Sequence, residues 1–200
     1  MFRLFIILCV IYLFSGCTTT KPSITEYIIT SKVTHVNKNE TSTCKDKTIK
    51  IAQAFSSASM MSLNMDYVQE PNKVFSYSSS RWQESPNKYV TSKVYELFRD
   101  SGYFAFVNVS KSRTKSDLVL EIVIDDFLQY YTNDLNHSYV NIIIGLNIVD
   151  KKTSKTIRSK TFYSKVNSKS LDASGGVEAL NIALNDILNQ NVDWLDGVCK

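Results

Sequence analysis

The sequence predicts an α+β fold, a two-layer sandwich in which a mainly antiparallel sheet carries two amphipathic helices on one face. Three observations lead there. Two segments, around 86–101 and 177–191, repeat apolar residues at helical spacing. Three long runs after residue 116 alternate apolar and polar residues with period two. Short polar loops join those runs, which is how antiparallel neighbours are connected. A helix stripe and a sheet face each need a partner, and packing one on the other satisfies both. No period of 20–50 residues recurs, so a solenoid is excluded.

In chain order, Tyr27-Ile28-Ile29 and Val33 suggest a first strand, and Thr48–Phe55 a second through Ile49 and Ile51. The stretch from Ser56 to Pro71, with Met60, Met61 and Met65, fits either a helical turn or an extended crossing. Val74, Phe75 and Tyr77 open a strand that runs to Trp82. The first helix has Ser85 as its cap candidate and Pro86 at the first helical position, where the missing N–H costs nothing. Val90, Val94, Leu97 and Phe98 make its stripe, and Gly102 is placed to end it. Four strands follow, near 104–107, 117–130, 138–150 and 156–166, read as a meander. Leu118, Leu120, Ile122 and Ile124 share one face, opposite Val119, Glu121, Val123 and Asp125. The last helix opens at Ser174-Gly175-Gly176, buries Val177, Leu180, Ala183, Leu184, Ile187, Leu188 and Asn191, and is followed by Trp194-Leu195.

The N-terminus reads differently from the rest. Arg3 precedes an uncharged apolar run, Leu4–Phe14, and Ser15-Gly16 puts two small residues before Cys17. That order is a secretory signal's, and the run is about half the roughly 20 residues a spanning helix needs. Phe14-Ser15-Gly16-Cys17 resembles the bacterial lipobox, with Phe where Leu is usual. The resemblance implies a diacylglycerol on the Cys17 sulfur and further acyl lipid, palmitate among it, on the freed amine. Several chains would hold the protein on a bilayer almost permanently, at about 0.8 kcal/mol per buried methylene. The expected organisation is therefore 1–16 signal peptide, 17–24 lipidated N-terminus and polar tether, and 25–200 a single α+β domain. Thr18 after the cysteine favours the outer membrane, facing the periplasm, over the inner one.

Composition narrows function. Losing Arg3 takes the net charge from +4 to +3, too mild to argue for nucleic acid, and Lys111, Arg113 and Lys115 read as a solvated loop. Cys44 and Cys199 remain after Cys9 and Cys17 are set aside, and in an oxidising compartment an even pair reads as one disulfide. Two histidines, His35 and His137, with no CxxC or HxxxH spacing, argue against a metal. Asp125 and Asp126 are the tempting acid pair, but strand neighbours point to opposite faces; Glu121 and Asp125 do share one. No nucleophile elbow or Walker motif occurs. The expectation is a non-enzymatic protein with no catalytic residues and no cofactor beyond the covalent lipid.

The ordered set of features also resembles a family, the ABC-type transport auxiliary lipoproteins that include the PqiC-like proteins. It consists of the segment Val74–Trp82, the helix opened by Pro86 and ended by Gly102-Tyr103-Phe104, Asp117 before a long alternating strand, a penultimate strand ending in Asp150, and an Ala-containing last helix. The resemblance implies a docking component of a lipid transport system between the two membranes, with a mammalian-cell-entry (MCE) domain protein as partner. The alternative is a stand-alone envelope lipoprotein that assists assembly or activates a cell-wall synthase. Phe75, Tyr77 and Trp82 are the candidate contact residues, since Tyr and Trp are enriched at interfaces. The alternative is that these three aromatics fill the core between the sheet and the first helix.

Overall fold

The computed structural model describes residues 23–31, 42–69 and 72–199. Its backbone is β7 (Leu118–Tyr131), β8 (Ser138–Asp150) and β9 (Lys155–Asn167), an antiparallel meander in register from Leu118↔Asp150 to Tyr131↔Ser138 and from Tyr139↔Asn167 to Asp150↔Lys155. The alternation in the sequence sets its two faces. Leu118, Leu120, Ile122 and Ile124 of β7 are buried, as are Val140, Ile142, Ile144, Leu146 and Ile148 of β8. Both helices cover that face, α1 (Pro86–Ser101) through Val90, Val94, Leu97 and Phe98, and α2 (Ala173–Val198) through Val177, Leu180, Ala183, Leu184, Ile187 and Leu188. One hydrophobic core results, in the two-layer α+β architecture the periodicities imply.

The other edge of β7 departs from a simple meander. Three short strands pair with it end to end, all parallel: β2 (Thr48–Ile51) at Leu118–Leu120, β3 (Phe55–Ser56) at Val123–Ile124, and β4 (Asn64–Gln69) at Gln129–Tyr131. Outside β2 lies β6 (Phe106–Val109), also parallel. Outside β4 lie β5 (Val74–Trp82), antiparallel, and then β1 (Thr25–Tyr27), parallel to β5. The expectation that β6 heads the meander is thus corrected: β2 sits between it and β7. The chain crosses from β2 to β6 by way of α1, and such a crossover permits parallel pairing where a short turn would not.

The predicted second strand, Thr48–Phe55, is two strands. At Ala54 the backbone N–H donates to Thr91 Oγ1 of α1 at 2.9 Å, leaving the ladder for a helix side chain. The undecided methionine segment is a 3-10 turn over Ser59–Met61 followed by β4, so both readings apply to different parts of it. The first strand is shorter and earlier than read. Ile29 is buried past its end, where Thr30 N and Ser31 Oγ bond Asn181 of α2, and Val33 lies outside the described residues.

The helix ends follow local chemistry. Pro86 starts α1 as expected, but the Ser85 hydroxyl donates to Asn87 Oδ1 at 2.7 Å and caps no backbone N–H. Gly102 ends α1 with φ 66°, a left-handed conformation that glycine adopts at no steric cost. In α2 the cap is Asp172, whose carboxylate accepts from Gly175 N at 2.8 Å, so the helix begins one residue earlier than read and continues to Val198. Gly176 leaves room for the end of the Gln129 side chain, which a Cβ there would displace.

These connections give the sandwich two distinct ends. At the hairpin end lie the end of β4 at Gln69, the start of β5 at Val74, the β7–β8 turn and the β9–α2 loop. At the disulfide end lie the β6–β7 loop, the β8–β9 turn and the Cys44–Cys199 bridge, which spans 155 residues of sequence.

Candidate functional site

Two surfaces gather distinctive side chains, one at each end. At the hairpin end the parity of β4, β5 and β7 brings Tyr67, Phe75, Tyr77 and Tyr131 onto one face, beyond the start of α2. The Tyr67 ring lies 5.7 Å from Phe75, 4.6 Å from Tyr77 and 5.3 Å, edge-on, from Tyr131. Phe75 is exposed and the tyrosines are half-buried. A hydroxyl relay supports them. The Tyr77 hydroxyl donates to Gln129 Oε1 at 2.9 Å and lies 2.6 Å from the Tyr131 hydroxyl. Gln129 is buried, and its amide donates to Ser138 Oγ at 3.0 Å and to the Asp172 carbonyl at 3.4 Å. Burial, reinforced by Tyr131, pushes the Tyr77 phenol well above its ordinary range, so it remains a neutral donor. Leu135 and Leu171 project beside these rings, 43% and 47% exposed, and line a hollow of about 300 Å³ with Tyr67, Tyr77 and Tyr131.

The three aromatics singled out in the sequence therefore divide. Phe75 and Tyr77 join the surface cluster. Trp82 does not: it is 4% exposed and packs edge-on against Phe127 at 6.4 Å, in the core. Tyr67 and Tyr131 complete the cluster and were not singled out. Tyr67 falls between Ser56 and Pro71, where the sequence fits either a helical turn or an extended crossing and so defines no face. Tyr131 could be found only by carrying the β7 alternation through a bulge.

At the disulfide end an open cleft of about 670 Å³ has an apolar floor of Phe104, Leu118, Ile148, Ile157 and Val198, with Cys44 in its wall. Lys47, Lys115, Lys151 and Lys152 stand around it. Its two carboxylates are engaged. Asp117 accepts from Thr48 N at 2.8 Å and Thr48 Oγ1 at 2.7 Å, and Asp150 from Thr153 N at 2.7 Å and Thr153 Oγ1 at 2.9 Å. Those bonds hold both below the usual carboxylate range. Of the basic loop cluster only Lys115 reaches the cleft.

The acid pair needs a correction. The β7 register shifts between Ile124 and Asp126, so Asp125 is an extra residue and both carboxylates fall on the face away from the helices. Asp125 and Glu121 are exposed there, while Asp126 is 9% exposed and accepts from the Tyr130 hydroxyl at 2.7 Å and Asn141 Nδ2 at 2.8 Å. Burial raises its pKa in spite of those bonds. His137 is an exposed turn residue whose backbone pairs with Thr132. Cys17 and His35 lie outside the described residues. Among the described residues, no three His, Cys, Asp or Glu side chains gather to hold a metal, and no helix is long and apolar enough to cross a membrane.

No protein-family model matches the chain, and no curated protein matches it in sequence. Likeness to solved structures is clear. Protein XCC0632 from Xanthomonas campestris, described as DUF330, shares 20% identity over 85% of this chain and 94% of its own, with a TM-score of 0.73. An uncharacterized protein shares 10% identity over 86% of this chain and 98% of its own, with a TM-score of 0.63. At these identities the likeness shows the fold. This chain thus shares the α+β fold of the DUF330 protein.

Proposed function

We propose that this chain is an envelope lipoprotein, anchored by lipid on Cys17 to the outer membrane and facing the periplasm. There it serves as a non-catalytic docking component of an ABC-type, MCE-associated lipid transport system. Three things support the reading: the lipobox-like Phe14–Cys17, the ordered features that resemble the auxiliary lipoproteins, and a fold shared with a DUF330 protein. The observation that carries the docking role is the cleft at the disulfide end. An apolar floor ringed by four lysines, with both its carboxylates hydrogen-bonded to threonines, suits contact with an acidic, partly apolar surface. No reacting group is asked of the chain itself.

The test is mild crosslinking and purification of the lipidated chain from membranes. Recovery of an MCE-domain protein is expected, and a K151E/K152E variant should lose it by reversing charge at the cleft. Recovery of a cell-wall synthase instead, unchanged in that variant, would overturn the transport reading.

A further inference from the structure

We infer that the aromatic cluster at the hairpin end rests on the bilayer, so that the domain touches the membrane through protein as well as lipid. The inference rests on the reading of Cys17 as the anchor. It follows from the direction of one short strand. β1 runs parallel to β5 with Thr25 opposite Ser80, so followed backward from Tyr27 to Thr25 it points along β5 toward Val74, at the hairpin end. Six residues of strand separate Ser80 from Val74, about 20 Å. Eight residues separate Thr25 from Cys17, which span at most about 26–29 Å when fully extended. The acylated cysteine can therefore clear the hairpin end by less than about 10 Å. A lipid held so close brings that end of the domain to the headgroups and leaves the disulfide end pointing away.

What stands at the hairpin end suits that position. Phe75, Leu135 and Leu171 are between 42% and 47% exposed, around the Tyr67, Tyr77 and Tyr131 rings. Tyrosine pairs an apolar ring with a polar tip and is enriched where membrane meets water. The hydroxyl relay through Gln129 fixes the Tyr77 and Tyr131 rings before contact, so little of their rotamer freedom is lost on docking. Leu135 and Leu171 sit on connections, where they can enter the acyl boundary without disturbing the sheet. The occupant is a phospholipid surface, because the anchor brings that surface to this end.

The experiment uses the full lipidated chain in phospholipid vesicles containing a lipid with a nitroxide near the headgroup. F75W and L171W place an indole at the hairpin end, and I157W places one in the cleft at the other; each is read against the wild type with its own Trp82 and Trp194. Loss of the added emission in F75W and L171W, with I157W unaffected, is the expected result. A chain that floats with the vesicles but shows no added quenching in either hairpin-end variant overturns the contact while leaving the anchor intact. A chain that does not float overturns the Cys17 reading and this inference with it.

Discussion

Removing the Cys44–Cys199 bridge is the sharpest perturbation of this fold. The loop it closes spans 155 residues and contains β2 to β9 and both helices. In the chain-entropy account, cross-linking a loop of that length destabilises the unfolded chain by about 5 kcal/mol at room temperature. Total stabilities of such domains run about 5–15 kcal/mol, so a C44A/C199A variant should lose a large share of its stability. The native state keeps some local support. Thr43 N still donates to the Cys199 carbonyl at 2.9 Å, and Leu195, fully buried, still docks the last turn of α2. The assay is urea unfolding of wild type and variant, followed by far-UV circular dichroism, with the wild type repeated under reductant. The midpoint should fall in the variant, and reductant should bring the wild type to the same value. A loss under about 1 kcal/mol with unchanged slope, no more than one hydrogen bond contributes, would refute the argument. The ordinary contacts at Thr43 and Leu195 would then hold the end of α2 unaided.

Two further outcomes test local chemistry. D172A removes the α2 cap and should cost about 1 kcal/mol at neutral pH. The bonds from Gly175 N and Ser170 depress the folded Asp172 pKa, so its contribution is present above the ordinary carboxylate range and fades as pH falls through the folded value; the two unfolding curves should converge in acid. Asp126 has the opposite sign. Its folded pKa is raised by burial, so folding binds a proton there and stability falls as pH rises from the ordinary carboxylate range through the raised value. D126N should lose that slope, seen as a flatter difference in unfolding midpoint between about pH 4 and pH 7; an unchanged slope would show that Asp126 titrates normally.

The site was only half legible. Phe75 and Tyr77 stand out in sequence because they alternate in a strand, but Trp82 stands at the opposite parity, and the β4–β5 register shift between Asn64 and Asp66 that changes faces along β5 leaves no mark in the sequence. Trp82 lies at the covered end, against Phe127, and Phe75 lies past the start of α2. The acid pair failed for a related reason. A bulge adds one residue to β7, and adding one residue reverses every later side chain relative to the period-two expectation.

By itself the sequence determined the two-layer class, both helices with their buried faces, the long antiparallel meander, the Pro86 start and Gly102 stop, and the pairing of Cys44 with Cys199. Each follows from local periodicity, from backbone demands of single residues, or from counting. Only the tertiary structure decided that β2, β3 and β4 share one edge of β7, that β6 lies outside β2, and that Tyr67 and Tyr131 join Phe75 and Tyr77. Those outcomes depend on which distant strand edges meet, and hydrogen bonding between backbones is nearly blind to side-chain identity. Burial of the assembled faces selects among the possible pairings, and that is a property of the whole chain.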